Sequence, residues 1–214
     1  MNDGYLFIII GWMVFILMVT HWLDFIWEDE RALGGQRRRA CLFLLLVMIG
    51  QAFYVPLSSE MMINIGSMVC IPLLFLYRIW TDPSPFRLQM IAVVIFLGVF
   101  YALSYELFAM DPILMILSPI YLVPLAFTLF LTLTTQSVQQ QWLMMTGGFV
   151  LGEWLHKSLQ SAYADVIYIG DALFRDQLAI GFVFVTASAY TTAYILKLSR
   201  YMLKLLRPQS KQEG

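Results

Sequence analysis

Apolar runs long enough to cross a lipid bilayer recur seven times along the chain, at about 5–26, 40–56, 61–80, 88–108, 113–135, 142–161 and 178–198. A spanning helix needs about 20 apolar residues, and the second run only just qualifies. The runs are continuously apolar and do not alternate, and lipid admits only helices or closed barrels. The pattern therefore predicts an all-α fold without strands: a polytopic transmembrane helical bundle of seven spans. Spans and short loops use up the chain, so residues 1–214 form a single integral membrane domain.

Composition agrees with this reading. Hydrophobic residues make up 60% and charged residues 13%, with a mean hydropathy of +0.76, against roughly 25% charged residues in a soluble domain. The opening residues, MNDGYLF, have no basic n-region, so the first run is expected to be a retained span and not a signal peptide. Cys41 and Cys70 form no CxxC and have no metal-ligand spacing, which predicts two free thiols.

Charge changes the picture once it is divided by side. With the N-terminus outside, the cytoplasmic side collects Arg31, Arg37, Arg38, Arg39, Arg78, Arg87, Lys197, Arg200, Lys204, Arg207 and Lys211, which is 11 of the 13 basic residues. Lys157 and Arg175 remain outside, so the basic residues predict an N-out, C-in topology with Arg37, Arg38 and Arg39 as its main signal. The same cluster suits anionic lipid headgroups. The outer half carries eight acids (Asp3, Glu60, Glu106, Asp111, Glu153, Asp165, Asp171 and Asp176) against those two bases.

Several spans carry polar or small residues. His21 and Asp24 lie three apart at the end of the first span, where a capping or interfacial role is expected. The third span holds Asn64, Gly66, Ser67 and Pro72, followed by the turn-rich TDPSPF. Pro119 and Pro124 should kink the fifth. In the sixth, Gly148 and Gly152 form a small-xxx-small pair, and the seventh offers Ser188 and Thr192 as its counterpart, so these two helices are expected to pack together.

The stretch TGGFVLGEWLHKSLQ, residues 146–160, places Glu153, His156 and Lys157 inside an apolar segment. An ionisable side chain well inside a bilayer costs at least about 2.5 to 3.5 kcal/mol, so it is a functional candidate by default. Glu153, His156 and Lys157, with Glu106 from the fourth span, make up the candidate polar cluster. Its structural reading is an i,i+4 ion pair between Glu153 and Lys157. Its functional reading is an outward-facing acidic cavity for a proton, a cation or an amine.

Other seven-span chemistries lack their residues. A retinal Schiff base needs a lysine in the middle of the last span, where Ser188 stands, and His21 and His156 lie roughly 16 Å apart in depth at about 1.5 Å per residue, too far to share haem or metal. No HExxH, GxSxG or Ser/His/Asp set suggests a hydrolase, and no glycine motif suggests nucleotide chemistry. No metal, cofactor or nucleic acid is expected.

The size and span count, the fourth-span ending with Glu106 and then Asp111-Pro112, the Gly152-Glu153 pair and the Gly170-Asp171 segment resemble the YphA-like family of small bacterial membrane proteins. The resemblance covers most of the chain. It implies a multi-pass protein of the bacterial cell membrane, with no cofactor or catalytic residue to carry over. The expected function is therefore non-enzymatic: a structural, assembly or accessory protein, in contact with lipid and with a membrane-protein partner or a second copy of itself. The alternative is a small proton- or cation-coupled transporter using Glu153, His156 and Glu106.

Overall fold

The structure is a computed structural model that describes residues 4–22, 33–81, 87–111, 117–135, 137–160 and 166–206. Seven helices carry the fold: α1 (Tyr5–Val19), α2 (Leu33–Gly50), α3 (Ile71–Thr81), α4 (Arg87–Met110), α5 (Pro119–Thr134), α6 (Val138–Gln160) and α7 (Ala172–Leu206). Each falls on one of the expected apolar runs, with shifted ends. The segments 23–32, 82–86 and 112–116 lie outside the described residues, and with them Asp24, TDPSPF beyond Thr81, and Pro112. So do Asp3 and Asp165.

The expectation of no strands is corrected by a three-stranded sheet: β1 (Tyr54–Pro56), β2 (Met61–Asn64) and β3 (Ile167–Ile169), in that order. β1 and β2 are an antiparallel hairpin with Val55 opposite Ile63, and β3 joins in parallel with Ile169 beside Ile63. Strands here do not breach the rule for lipid, because the hairpin follows α2 and β3 precedes α7, at one end of the bundle, where neighbouring strands satisfy their backbone groups. The apolar residues 54–57 and 61–63 read as the ends of spans because nothing interrupts the hydropathy within either run. Ser58 and Ser59 between them are the turn signal that marks the hairpin.

The chain then enters α3 through a stretch of π-helix, Gly66–Cys70. Asn64 fixes the entry: its Oδ1 accepts from the Ser67 backbone N–H and hydroxyl at 3.0 Å each, and its Nδ2 donates to the Gln51 carbonyl at 2.9 Å. Pro72 has no N–H and its ring crowds the carbonyl four residues back, which accounts for the widened turn before it. α2 crosses this stretch backbone to backbone. A Cβ on Gly50 would stand 2.9 Å from Gly66 Cα, and one on Gly66 would meet the Val47 carbonyl oxygen.

α2 begins at Leu33, so Arg37, Arg38 and Arg39 belong to its first turns and not to a loop. Arg38 and Arg39 are exposed, and the Arg37 side chain lies outside the described ones. α5 starts at Pro119, where a missing N–H costs nothing, leaving Pro124 as the proline inside it.

α6 lies at the centre, against α3, α4, α5 and α7, and α7 also packs on α5 and α1. Phe127, Leu131, Met145, Phe149, Leu178 and Val185 are wholly buried around it. The outer faces of the other helices are apolar as well, with Ile9, Trp12 and Ile16 on α1, Leu103 and Leu107 on α4, and Ile195 and Leu198 on α7 all exposed. Apolar surface of this extent on a folded chain calls for lipid as its solvent. Arg87–Met110 and Ala172–Ser199 are long and apolar enough to cross a membrane, and Tyr5–Val19, Gly66–Thr81 and Pro119–Thr134 are shorter apolar helices.

Candidate functional site

The glycines of α6 come first, because they decide what can stand over Glu153. A Cβ on Gly148 would lie 2.6 Å from Leu97 Cβ, and one on Gly152 would lie 2.5 Å from Tyr101 Cβ. Both glycines therefore receive α4, which corrects the expected pairing with Ser188 and Thr192 of α7. α4 answers with Gly98, whose Cβ would meet Leu151 at 2.8 Å. Ser188 instead meets the Thr132 hydroxyl of α5 at 2.7 Å, and Thr192, one turn further, is partly exposed. α6 and α7 do touch, through Gly181 beside Met145 and through Trp142 Nε1, which donates to Thr186 Oγ1 at 3.1 Å.

This close approach lays Tyr101 across Glu153. The Tyr101 hydroxyl oxygen is 3.1 Å from Glu153 Oε2 and 3.1 Å from Gln177 Oε1 of α7. Gln177 Nε2 donates to the Tyr105 hydroxyl at 2.6 Å and to the Pro119 carbonyl at 2.9 Å. Gly170 N–H donates to Glu153 Oε1 at 3.3 Å. Glu153 is 2% exposed, Tyr101 1% and Gln177 0%. One buried network thus ties α4, α5, α6, α7 and the turn before α7. Gly170 has a φ of 76°, and a Cβ there would collide with Ser67 Oγ, so glycine is required on both counts.

Lys157 does not pair with Glu153. Its Nζ is 2.8 Å from Asp171 Oδ2, correcting the expected i,i+4 ion pair. Asp171 is presented by α7 itself, because its Oδ1 accepts from the Phe174 N–H at 3.0 Å as the cap of that helix. Arg175, one turn on, donates to Gln51 Oε1 at 3.2 Å. His156 stacks on Tyr105 with ring centroids 4.7 Å apart, and its Nδ1 lies 3.6 Å from Glu106 Oε1, longer than a hydrogen bond.

The four expected residues Glu106, Glu153, His156 and Lys157 are therefore close together at the sheet end, but in different settings. A cleft of about 310 Å³ opens there between Tyr54, Lys157, Gln160, Ile167, Tyr168 and Asp171. Its charged walls are one lysine and one aspartate, so it is not the expected acidic cavity, and neither Glu153 nor Glu106 lines it. Among the described residues no group of three or more His, Cys, Asp and Glu is placed to hold a metal ion. Cys41 and Cys70 are free thiols.

Sequence reading placed Asp171 and Asp176 among the outer acids without giving them partners, and it missed Tyr101 and Gln177 altogether. Asp171 had a signal, since an acid after glycine and three residues before Phe174 is a helix cap. Asp176, 2% exposed, accepts from the backbone N–H groups of Gly4 at 2.7 Å and Phe7 at 2.8 Å. It serves as the N-terminal cap of α1 from the far end of the chain, which no local pattern announces.

No curated protein and no solved structure matches the chain. Residues 3–213 match the family model described as YphA-like integral membrane protein. A match over nearly the whole chain, on a bundle whose outer surface is apolar, identifies the protein as a member of the YphA-like integral membrane protein family.

Proposed function

We propose that this protein is a non-enzymatic, multi-pass component of the bacterial cytoplasmic membrane, serving as a structural, assembly or accessory factor. The observation that supports this reading is the use made of the most deeply buried ionisable group of the cluster. Glu153 is 2% exposed and spent on Tyr101 and Gly170, which hold helices together, and it does not line the cleft at the sheet end. A carrier site needs an acid that meets its cargo. In this reading all seven helices span, N-out and C-in, and the partner is a membrane protein or a second copy of the chain.

Two measurements test the proposal. In a background lacking Cys41 and Cys70, a cysteine at Ser59, exposed in the β1–β2 turn, should label from outside intact cells, and one at Gln36 should label only after permeabilisation. The reverse pattern overturns the topology. In proteoliposomes the wild type should pass no proton or cation flux above empty vesicles, whereas a flux abolished by Glu153→Gln in folded protein would replace the structural reading with the transporter.

A further inference from the structure

The network around Glu153 contains a proton count that its distances decide. Gln177 can be oriented in one way only. Its amide nitrogen is the group 2.9 Å from the Pro119 carbonyl, and turning the amide over would set oxygen against oxygen at that distance. Gln177 Oε1 therefore faces Tyr101 as an acceptor. Glu153 Oε1 is an acceptor too, since it receives the Gly170 N–H.

That leaves the Tyr101 hydroxyl between two oxygens, Glu153 Oε2 and Gln177 Oε1, each 3.1 Å away. A hydroxyl has one hydrogen and two lone pairs. With Glu153 ionised, one of the two contacts sets acceptor against acceptor in a place sealed from water. Unsatisfied polar groups of this kind are costly in a buried site.

We infer that Glu153 is a proton-binding site: the folded chain holds one proton on Glu153 Oε2, which donates to the Tyr101 oxygen, while the Tyr101 hydroxyl donates to Gln177 Oε1. The Glu153 carboxyl, the Tyr101 hydroxyl and the Gln177 amide then each have partners for their donors and acceptors. The run of donation goes one way, from Glu153 on α6 through Tyr101 on α4 to Gln177 on α7, and on through its amide to Tyr105 and Pro119. The network around Glu153 then carries no net charge. The charged groups that act on Glu153 are Asp171 and Lys157, which pair with each other, and Glu106 stands beside His156, which stacks on Tyr105. The proton does not depend on the proposed function, because a held proton passes no flux.

The test has two arms. At about pH 6 a solvated glutamate is ionised. Infrared spectra of the wild type in lipid, with and without ¹³C-glutamate, should show a protonated carboxyl carbonyl band that shifts with the label. Glu153→Gln should lose that band and Tyr101→Phe should move it. Second, folding should take up one proton between about pH 5 and the pH at which the folded protein releases it, so over that window the wild-type folding constant should fall about tenfold per pH unit relative to Glu153→Gln. The glutamine variant should fold, because its amide donates to Tyr101 and its carbonyl accepts from Gly170. Absence of the labelled band in the wild type, its survival in Glu153→Gln, parallel pH slopes, or failure of Glu153→Gln to fold would each overturn the inference.

Discussion

Lys157 and Glu153 stand one helical turn apart on α6, yet each is held by a different neighbour, and the reason lies in the turn that precedes α7. Gly170 adopts a left-handed conformation and points its N–H at Glu153, while the next residue, Asp171, caps α7 and offers its second oxygen to Lys157. The residue types of the cluster were legible in the sequence, and so was their gathering at one end. Their pairing was not, because it depends on where a glycine turn returns the chain. A double-mutant cycle reads the difference. Lys157→Met and Asp171→Asn should each lower stability, with a coupling of about 1 kcal/mol for this partly buried pair. Asparagine keeps the helix cap, so the cycle isolates the ion pair. Lys157→Met combined with Glu153→Gln should be additive within about 0.5 kcal/mol in thermal or denaturant unfolding.

Among the elements, α4 and α6 form the tightest junction, with Gly148 under Leu97, Gly152 under Tyr101 and Gly98 under Leu151. Spacing of four between glycines told that a helix would come close, because small residues permit it whatever the partner. It did not tell which helix, since the complementary bulk of Leu97 and Tyr101 has no signature in an apolar run. Ser188 and Thr192 had looked the better partners for being small and polar. In a membrane such hydroxyls often bond their own helix, as Thr186 does to Phe182 at 2.6 Å. Gly148→Leu and Gly152→Leu should each lower stability in detergent by about 1–3 kcal/mol through overpacking. Thr192→Leu, outside this junction, should change the melting temperature little. Equal losses for all three would show that α7 and not α4 receives the glycines.

At the scale of the molecule, the seven helices were legible because each one coincides with an apolar run, whereas the ends of the runs misled. Fifteen residues of α1 rise about 22 Å and the 35 of α7 about 52 Å, against a hydrocarbon core of about 30 Å. The runs at 40–56 and 61–80 are complete as hydropathy but leave their helices early, at Gly50 and before Gly66, and continue as paired strands. Hydropathy reports the solvent a residue prefers, and at the edge of a bundle it does not distinguish helix from strand. Asp176 adds something that concerns time as well as space. The amides of Gly4 and Phe7 are made first, and the carboxylate that receives them lies 172 and 169 residues later, in the last helix. Until that helix is made, the Gly4 and Phe7 amides lack this carboxylate, and α1 has α2 but not α7 to pack on. The contact of α1 with α7 joins the first helix to the last. Asp176→Ala should therefore cost about 1–2 kcal/mol, the scale of a lost helix cap. It should also speed hydrogen exchange at residues 4–8, while leaving the amides of α4 protected. Any event that draws α7 away, including an incomplete chain released early, should uncap the first helix as well, so the expected defect lies at the opposite end of the sequence from the damage.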